Sequence, residues 1–274
     1  MKRRLLSILL VGALVTSVIT GCGNKNDSNS SKEEDKVIKV GASVTPHAEI
    51  LNEVKDVLAD EGWELEIVEY NDYVLPNTAL NDGDLDANFF QHLPYLEDFN
   101  EENRTKLSGA AAVHFEPMGI YAGTKSSLDD IEEGDKVVVP NDTTNEARAL
   151  LLLEAEGLIT LKEGVGVKAT VLDIVDNPLN LSIEELEAAQ IPKVTADVAV
   201  VVVNGNYAID AGLDAPLTQE VATSLAAETY ANYIVVRTGE EESEKTKALV
   251  NAVLSDKVKS FIEDKYNGAV VPVF

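Results

Sequence analysis

Strand and helix patterns alternate along this chain, and that alternation limits the fold more than any other sequence feature. Residues 37–44 are rich in β-formers and precede a helical apolar stripe over residues 47–59. Residues 136–139 form a short apolar strand that precedes a helix predicted over residues 147–156. Further along the chain we predict a strand over residues 171–175, an acidic-faced helix over residues 182–190 and a fully buried strand over residues 196–203. Repeated alternation of this kind predicts an α/β fold.

A proline between two apolar runs indicates where the chain passes from one lobe to another. Glu116-Pro117 separates residues 107–115 from residues 118–122, which favours a crossover over one continuous strand. A strand predicted from residue 229 onward carries the chain back. We therefore predict a clamshell with the ligand between its lobes. Lobe 1 contains residues 37–116 and 229–274, and lobe 2 contains residues 117–228.

The N-terminal residues are predicted to be a targeting segment and a tether. A basic start precedes an apolar run, residues 5–19, that is too short to span a bilayer. Residues 19–22 resemble a bacterial lipobox, so we predict a signal peptide over residues 1–21 and lipid attachment at Cys22. The alternative is an ordinary signal peptide with an incidental cysteine. Residues 22–36 are polar after Cys22 and are predicted to be a flexible tether.

Composition and motifs exclude several function classes. The net charge of −26 argues against a nucleic-acid partner. No nucleophile elbow or zinc-protease motif is present, and His47, His92 and His114 have no metal-type spacing. We therefore expect no catalysis, no metal and no cofactor. A lipoprotein enzyme that uses His92 as acid or base, and a pure adhesion module, are the weaker alternatives.

Aromatic residues concentrate in residues 88–95, which contain two of the six Phe, one of the eight Tyr and one of the three His. The stretch lies where a predicted strand leads into a helix, and open α/β sheets bind ligands at such strand ends. His92 and Tyr95 are three residues apart and share a helix face. We predict a pocket wall here. Either Phe89 or Phe90 alone is equally compatible with the core.

Arg148 is the predicted cationic group of the pocket. Thr143 with Glu146 matches a capping box at the start of its helix, and a helix N-terminus favours anions. Arg148 offers a planar fork of donors for a carboxylate. The alternative is a surface ion pair with Glu154 or Asp142.

Two asparagines supply further recognition groups. Asn204 follows a buried strand and Asn232 interrupts another, although either residue is also compatible with a turn or cap. Asn carries both a donor and an acceptor, which suits a ligand with an ammonium and a carboxylate. Tyr73, Phe90 and Tyr95 are able to enclose an apolar side chain. This set predicts a pocket for a small amphiphilic amino acid.

Several ordered blocks resemble one known family. They include Pro46-His47-Ala48-Glu49-Ile50 and residues 72–80, 86–95, 114–121, 140–153, 176–180, 185–190 and 204–208. These blocks resemble the methionine-binding lipoproteins, the substrate-binding subunits of ATP-driven (ABC) methionine importers. The likeness covers residues 37–274.

The resemblance implies a two-lobed periplasmic-binding-protein fold that encloses an amino acid. It implies that Arg148 binds the ligand carboxylate, that two asparagines fix the amino-acid end, and that aromatic side chains contact the thioether. Asn206 is an alternative to Asn204, as Phe89 is to Phe90. The ligand-binding residues implied are Tyr73, Phe90, His92, Tyr95, Arg148, Asn204 and Asn232.

The function expected from the resemblance is solute capture. A monomeric protein, anchored to the membrane by lipid on Cys22 and facing outside the cytoplasm, would bind methionine and deliver it to the importer's membrane subunits. No chemistry would be performed on the ligand. The nearest alternative is a receptor for a short methionine-containing peptide, such as a dipeptide, in the same importer class.

Overall fold

The structure, a computed structural model, describes residues 36–222 and 228–274. The predicted signal peptide, Cys22 and all of the tether except Lys36 lie outside the described residues. No helix within the described ranges is long and apolar enough to cross a membrane.

The strands form two main sheets and one small hairpin. They are β1 (Val37–Ser43), β2 (Glu64–Tyr70), β3 (Ala87–His92), β4 (Leu107–Phe115), β5 (Gly119–Ala122), β6 (Lys136–Pro140), β7 (Thr160–Leu161), β8 (Ile174–Asp176), β9 (Ser182–Leu186), β10 (Val200–Val203), β11 (Thr218–Gln219), β12 (Ala231–Arg237) and β13 (Val271–Pro272).

The helices pack against these sheets. They are α1 (Glu49–Glu53), α2 (Lys55–Asp60), α3 (Leu75–Asp82), α4 (Leu93–Asn103), α5 (Thr143–Ala155), α6 (Gly205–Asp210), α7 (Glu244–Val253) and α8 (Asp256–Tyr266). Single 3-10 turns lie at Leu128–Asp130, Gly166–Lys168 and Val171–Asp173, and a longer 3-10 segment covers Ala188–Asp197.

The first sheet has the strand order β13-β4-β12-β3-β1-β2, and the second has β11-β5-β10-β6-β9. In the first sheet, β1 is parallel to β2 and β3, whereas β12 is antiparallel to β3 and β4. In the second, β6 is parallel to β9 and β10, and β5 is antiparallel to β10. The chain passes to the second sheet between Phe115 and Gly119 and returns between Gln219 and Ala231. The precise lobe limits stay a prediction.

Strand β10 shows why continuous apolar sequence is needed at the centre of the second sheet. Val200 and Val202 pack into one core cluster with Leu150, while Val201 and Val203 pack into another with Ile191. A strand covered on both faces buries every side chain, so polar alternation is absent. The sequence predicted this fully buried strand, although from residue 196 rather than Val200.

Two local predictions were wrong. The helix predicted over residues 182–190 is strand β9 followed by the start of a 3-10 segment, and the strand predicted over residues 171–175 begins as a 3-10 turn. Lys136 to Pro140 pair in parallel with Ser182 to Leu186. This pairing supplies the backbone hydrogen bonds and overrides the helical propensity of the acidic residues.

Candidate functional site

A cavity lies where β3, β6 and β10 end, between elements of the two sheets. All seven residues predicted from the sequence line it. The full lining is Tyr73, Phe90, Gln91, His92, Tyr95, Glu116, Asn145, Arg148, Asn204, Gly205, Asn206 and Asn232. Strand ends of parallel α/β sheets collect ligand-binding side chains in this way.

Three aromatic rings form one wall. The Tyr73 ring centroid lies 5.7 Å from those of Phe90 and Tyr95, and Phe90 lies 6.0 Å from Tyr95. The Tyr95 hydroxyl donates to the Tyr73 carbonyl at 3.0 Å, which fixes the loop before α3. Successive strand residues face opposite sides. Phe90 therefore lines the pocket, while Phe89 packs in the core against His47 at 4.7 Å.

His92 caps helix α4 and is neutral. Its Nδ1 accepts the Tyr95 backbone N–H at 3.2 Å, so the ring proton lies on Nε2, which donates to Asn145 Oδ1 at 3.2 Å. Burial, reinforced by the nearby Arg148 charge, lowers the pKa of His92 to about 3. The imidazole therefore connects β3 to α5 as a neutral hydrogen-bond donor.

The start of α5 differs from the predicted capping box. Asp142, not Thr143, is the N-cap and accepts the Asn145 backbone N–H at 3.0 Å. Glu146 instead accepts the Val171 backbone N–H at 2.8 Å. Asn145 was not predicted as a pocket residue; its place one turn before Arg148 was the available signal.

Arg148 lies in the pocket wall and makes a buried ion pair. Both expected alternative partners, Glu154 and Asp142, were wrong: the partner is Glu220, which receives hydrogen bonds from Nε at 2.7 Å and Nη2 at 2.5 Å. The guanidinium also lies 4.4 Å from the Tyr230 ring centroid. These contacts hold the cation in one orientation.

Glu116 joins two histidines beneath the pocket. His114 Nε2 lies 2.6 Å from Glu116 Oε1, and His47 Nε2 lies 3.5 Å from the same oxygen and 3.1 Å from Asn232 Oδ1. Burial raises the pKa of Glu116. Burial also lowers the pKa of His47 to about 4 and that of His114 to about 3. Sequence spacing did not indicate that these two histidines meet.

The geometry of this cluster matches hydrogen bonding and not metal ligation. In the part of the chain that the structure describes, it is the only group of three side chains with metal-type ligand atoms. Two ligands of a tetrahedral zinc ion at its usual bond lengths lie roughly 3.3 Å apart. The His114–Glu116 separation of 2.6 Å is that of a hydrogen bond, and His47 Nε2 already bonds Asn232.

The asparagines after β10 provide an open acceptor. Asn204 Nδ2 donates to Asn145 Oδ1 at 2.8 Å, while its buried Oδ1 has no protein partner. Asn206 Oδ1 accepts the Tyr73 hydroxyl at 2.6 Å. Both of the competing asparagines therefore line the pocket, and Asn204 retains an unused acceptor there. An unsatisfied buried acceptor is costly, so it points to a donor on the ligand.

Contacts between elements that belong to the first sheet and elements that belong to the second hold the pocket closed. The Tyr73–Asn206 hydrogen bond is accompanied by stacking of Tyr207 on Tyr73, with ring centroids 4.8 Å apart. The His92–Asn145 bond adds a third link. The arrangement is a closed clamshell around a small cavity.

This two-lobed α/β fold, with a closed polar and aromatic pocket between its lobes, is that of a substrate-binding protein of the periplasmic type. The chain belongs to the NlpA lipoprotein family, whose sequence profile matches residues 38–274.

Two relatives that are similar over almost the whole chain have names that state a ligand. "Methionine-binding lipoprotein MetQ" of Bacillus subtilis (strain 168) is 42% identical over 281 residues, covering 100% of this chain and 99% of the relative. "D-methionine-binding lipoprotein MetQ" of Escherichia coli (strain K12) is 40% identical over 265 residues, covering 95% of each chain.

A solved structure is similar over the same region. The nutrient binding protein from Burkholderia cenocepacia bound to methionine is 44% identical, with a TM-score of 0.82. The match covers 86% of this chain and 100% of that chain. The fold expectation from the sequence is confirmed.

Proposed function

We propose that this protein captures methionine outside the cytoplasm and delivers it to the membrane subunits of an ABC importer. Lipid on Cys22 anchors it to the membrane. The names of the B. subtilis and E. coli relatives, and the methionine bound in the B. cenocepacia structure, support this ligand.

The observation that carries the proposal is the distribution of charge and apolar surface around one cavity. Arg148 offers donors for the ligand carboxylate, and Asn204 Oδ1 with Glu116 offers acceptors for the ammonium. The three-ring wall of Tyr73, Phe90 and Tyr95 suits a thioether, because sulfur makes favourable contacts with aromatic rings.

The closed state of the pocket favours a free amino acid over a peptide. The Tyr73–Asn206 hydrogen bond and the stacking of Tyr207 on Tyr73 join elements of the first sheet to elements of the second across the pocket. A methionine-containing dipeptide would need more room than these contacts leave.

We also propose that the ligand leaves unchanged. The burial that lowers the pKa values of His47, His92 and His114 to between about 3 and about 4 leaves them neutral and poor as acids near pH 7. Among the described residues that line the cavity, none is a Ser or Cys that could act as a nucleophile. Recognition without turnover is what the site chemistry supports.

The test is a binding screen on protein freed of ligand by unfolding and refolding. Methionine is expected to raise the thermal midpoint, because a ligand that binds only the native state stabilises it. Leucine and glutamine, which lack the thioether, serve as controls.

Native mass spectrometry of protein purified without stripping is expected to show the mass of one methionine. A dipeptide mass would favour the peptide receptor, and no shift with any amino acid would contradict the proposal.

A further inference from the structure

Glu220 lies outside the cavity lining but contacts its central cation at two points. Arg148 Nε donates to Glu220 Oε1 at 2.7 Å, and Nη2 donates to Oε2 at 2.5 Å. The two side chains are 5% and 14% exposed, so little solvent screens the pair. A two-point contact fixes both the direction and the plane of a guanidinium.

The backbone holds Glu220 itself in place. Its Oε2 accepts the Met118 backbone N–H at 2.8 Å, and its own backbone N–H donates to the Met118 carbonyl at 2.9 Å. Met118 belongs to the first passage between the sheets, and Glu220 lies at the start of the second. Glu220 therefore connects Arg148 to both passages.

Only one end of the guanidinium is left for a ligand. Nη2 makes a second bond, to the Glu116 carbonyl at 2.8 Å, and the Tyr230 ring covers one face at 4.4 Å. Within residues 36–222 and 228–274, no protein acceptor bonds Nη1. Arg148 nevertheless lines the cavity, so Nη1 is the nitrogen available to the ligand.

We propose that Glu220 is a positioning residue that directs Nη1 of Arg148 at the ligand carboxylate. It thereby sets the preference of the pocket for ligands that carry this group. The inference rests on the proposed function, because it takes the ligand to be an amino acid. If Glu220 instead competed with the ligand for the Arg148 guanidinium, replacing Glu220 would raise the affinity for methionine.

The substitution Glu220→Gln separates these roles. Gln replaces one carboxylate oxygen with an N–H donor. Both oxygens of Glu220 already accept N–H groups, so the new amide N–H would face an N–H group of Arg148 or Met118. The guanidinium is then expected to turn away. Methionine affinity, measured by calorimetry, should fall at least tenfold. Affinity for methioninol, which keeps the thioether and amine but lacks the carboxylate, should stay within twofold of the wild type.

Two further variants complete the experiment. Glu156→Gln removes a carboxylate that accepts the Thr218 hydroxyl at 2.8 Å, two residues before Glu220, without touching Arg148. Both affinities should be unchanged in this control. Glu220→Asp keeps the charge but shortens the reach, so positioning predicts weaker methionine binding here as well.

The outcomes distinguish this inference from the proposed function. A wild-type protein that does not bind methionine contradicts the proposed function, and the inference falls with it. If the wild type binds methionine and Glu220→Gln binds it equally or more tightly, only the inference is overturned. A loss of the same size for methionine and methioninol would show a general structural role and would also overturn it.

Discussion

At the residue scale, the pocket combines one buried cation with several neutral polar groups. Arg148 is held by Glu220 and by the Glu116 carbonyl, and Asn204 retains an unpartnered acceptor in the same pocket. A zwitterion matches this arrangement because it supplies both a carboxylate and a donor. The pocket therefore recognises the charged groups of the ligand through the positions of its own donors and acceptors, and not through an overall electrostatic field.

Replacement of Arg148 by Ala tests the carboxylate contact. The variant should bind methionine more weakly by at least about 1.5 to 3 kcal/mol, the range expected for a hydrogen bond to a charged group. Isothermal calorimetry gives the change directly. Arg237→Ala is the matched control, since Arg237 pairs with Glu240 away from the cavity; it should keep the wild-type affinity. Unchanged affinity in Arg148→Ala would remove Arg148 from the site.

At the element scale, the start of α6 must approach the first passage between the sheets very closely. A Cβ at Gly205 would lie 2.8 Å from the Glu116 Cβ and 3.1 Å from the Pro117 carbonyl. Glycine is the residue that permits this approach. The short helix thereby places Asn204 and Asn206 next to Glu116 in the pocket.

Gly205→Ala should displace Glu116 and widen the pocket at α6. We expect methionine affinity to fall about tenfold, together with a loss of roughly 1 to 3 kcal/mol in unfolding free energy from overpacking. Calorimetry and urea unfolding measure the two effects. Gly212→Ala, beyond the other end of α6, meets no atom within 4 Å but has φ +63°. That control should lose stability only, and equal affinities in both variants would contradict the close-approach argument.

At the scale of the whole molecule, three fully or nearly buried histidines couple stability to pH. Burial lowers the folded-state pKa of His47 to about 4 and those of His92 and His114 to about 3. An unfolded histidine titrates near ~6.5. Between these values the unfolded chain binds more protons, so stability is present above pH ~6.5 and is lost as pH falls towards the folded pKa values.

The expected result is a decline in unfolding free energy below pH ~6.5, at up to about 1.4 kcal/mol per pH unit for each histidine. Burial raises the pKa values of Glu116 and Asp142, which offsets part of this loss at the acidic end. Urea unfolding at pH 7.5, 6.5, 5.5 and 5 measures the slope. His114→Gln should reduce it by about a third, and a constant free energy over this range would refute the coupling.

The sequence by itself determined the α/β class and the residues of the pocket's aromatic and cationic walls. Hydrophobic periodicity is local, so β10 and α5 were recognisable from their own residues. Strand alternation places Phe89 and Phe90 on opposite faces, but the tertiary structure decided that Phe90 is the one that lines the pocket. The lining residues Tyr73, His92 and Arg148 were equally recognisable because each adjoins a predicted element.

Only the tertiary structure decided which distant groups meet. Glu220 lies 72 positions from Arg148, and His47 lies 185 positions from Asn232. No local pattern encodes such pairs, because they depend on how the two sheets are placed by the chain passages between them. The same holds for β9, where pairing with β6 replaced a helical pattern with a strand. Packing and backbone hydrogen bonding over long sequence separations settled these features.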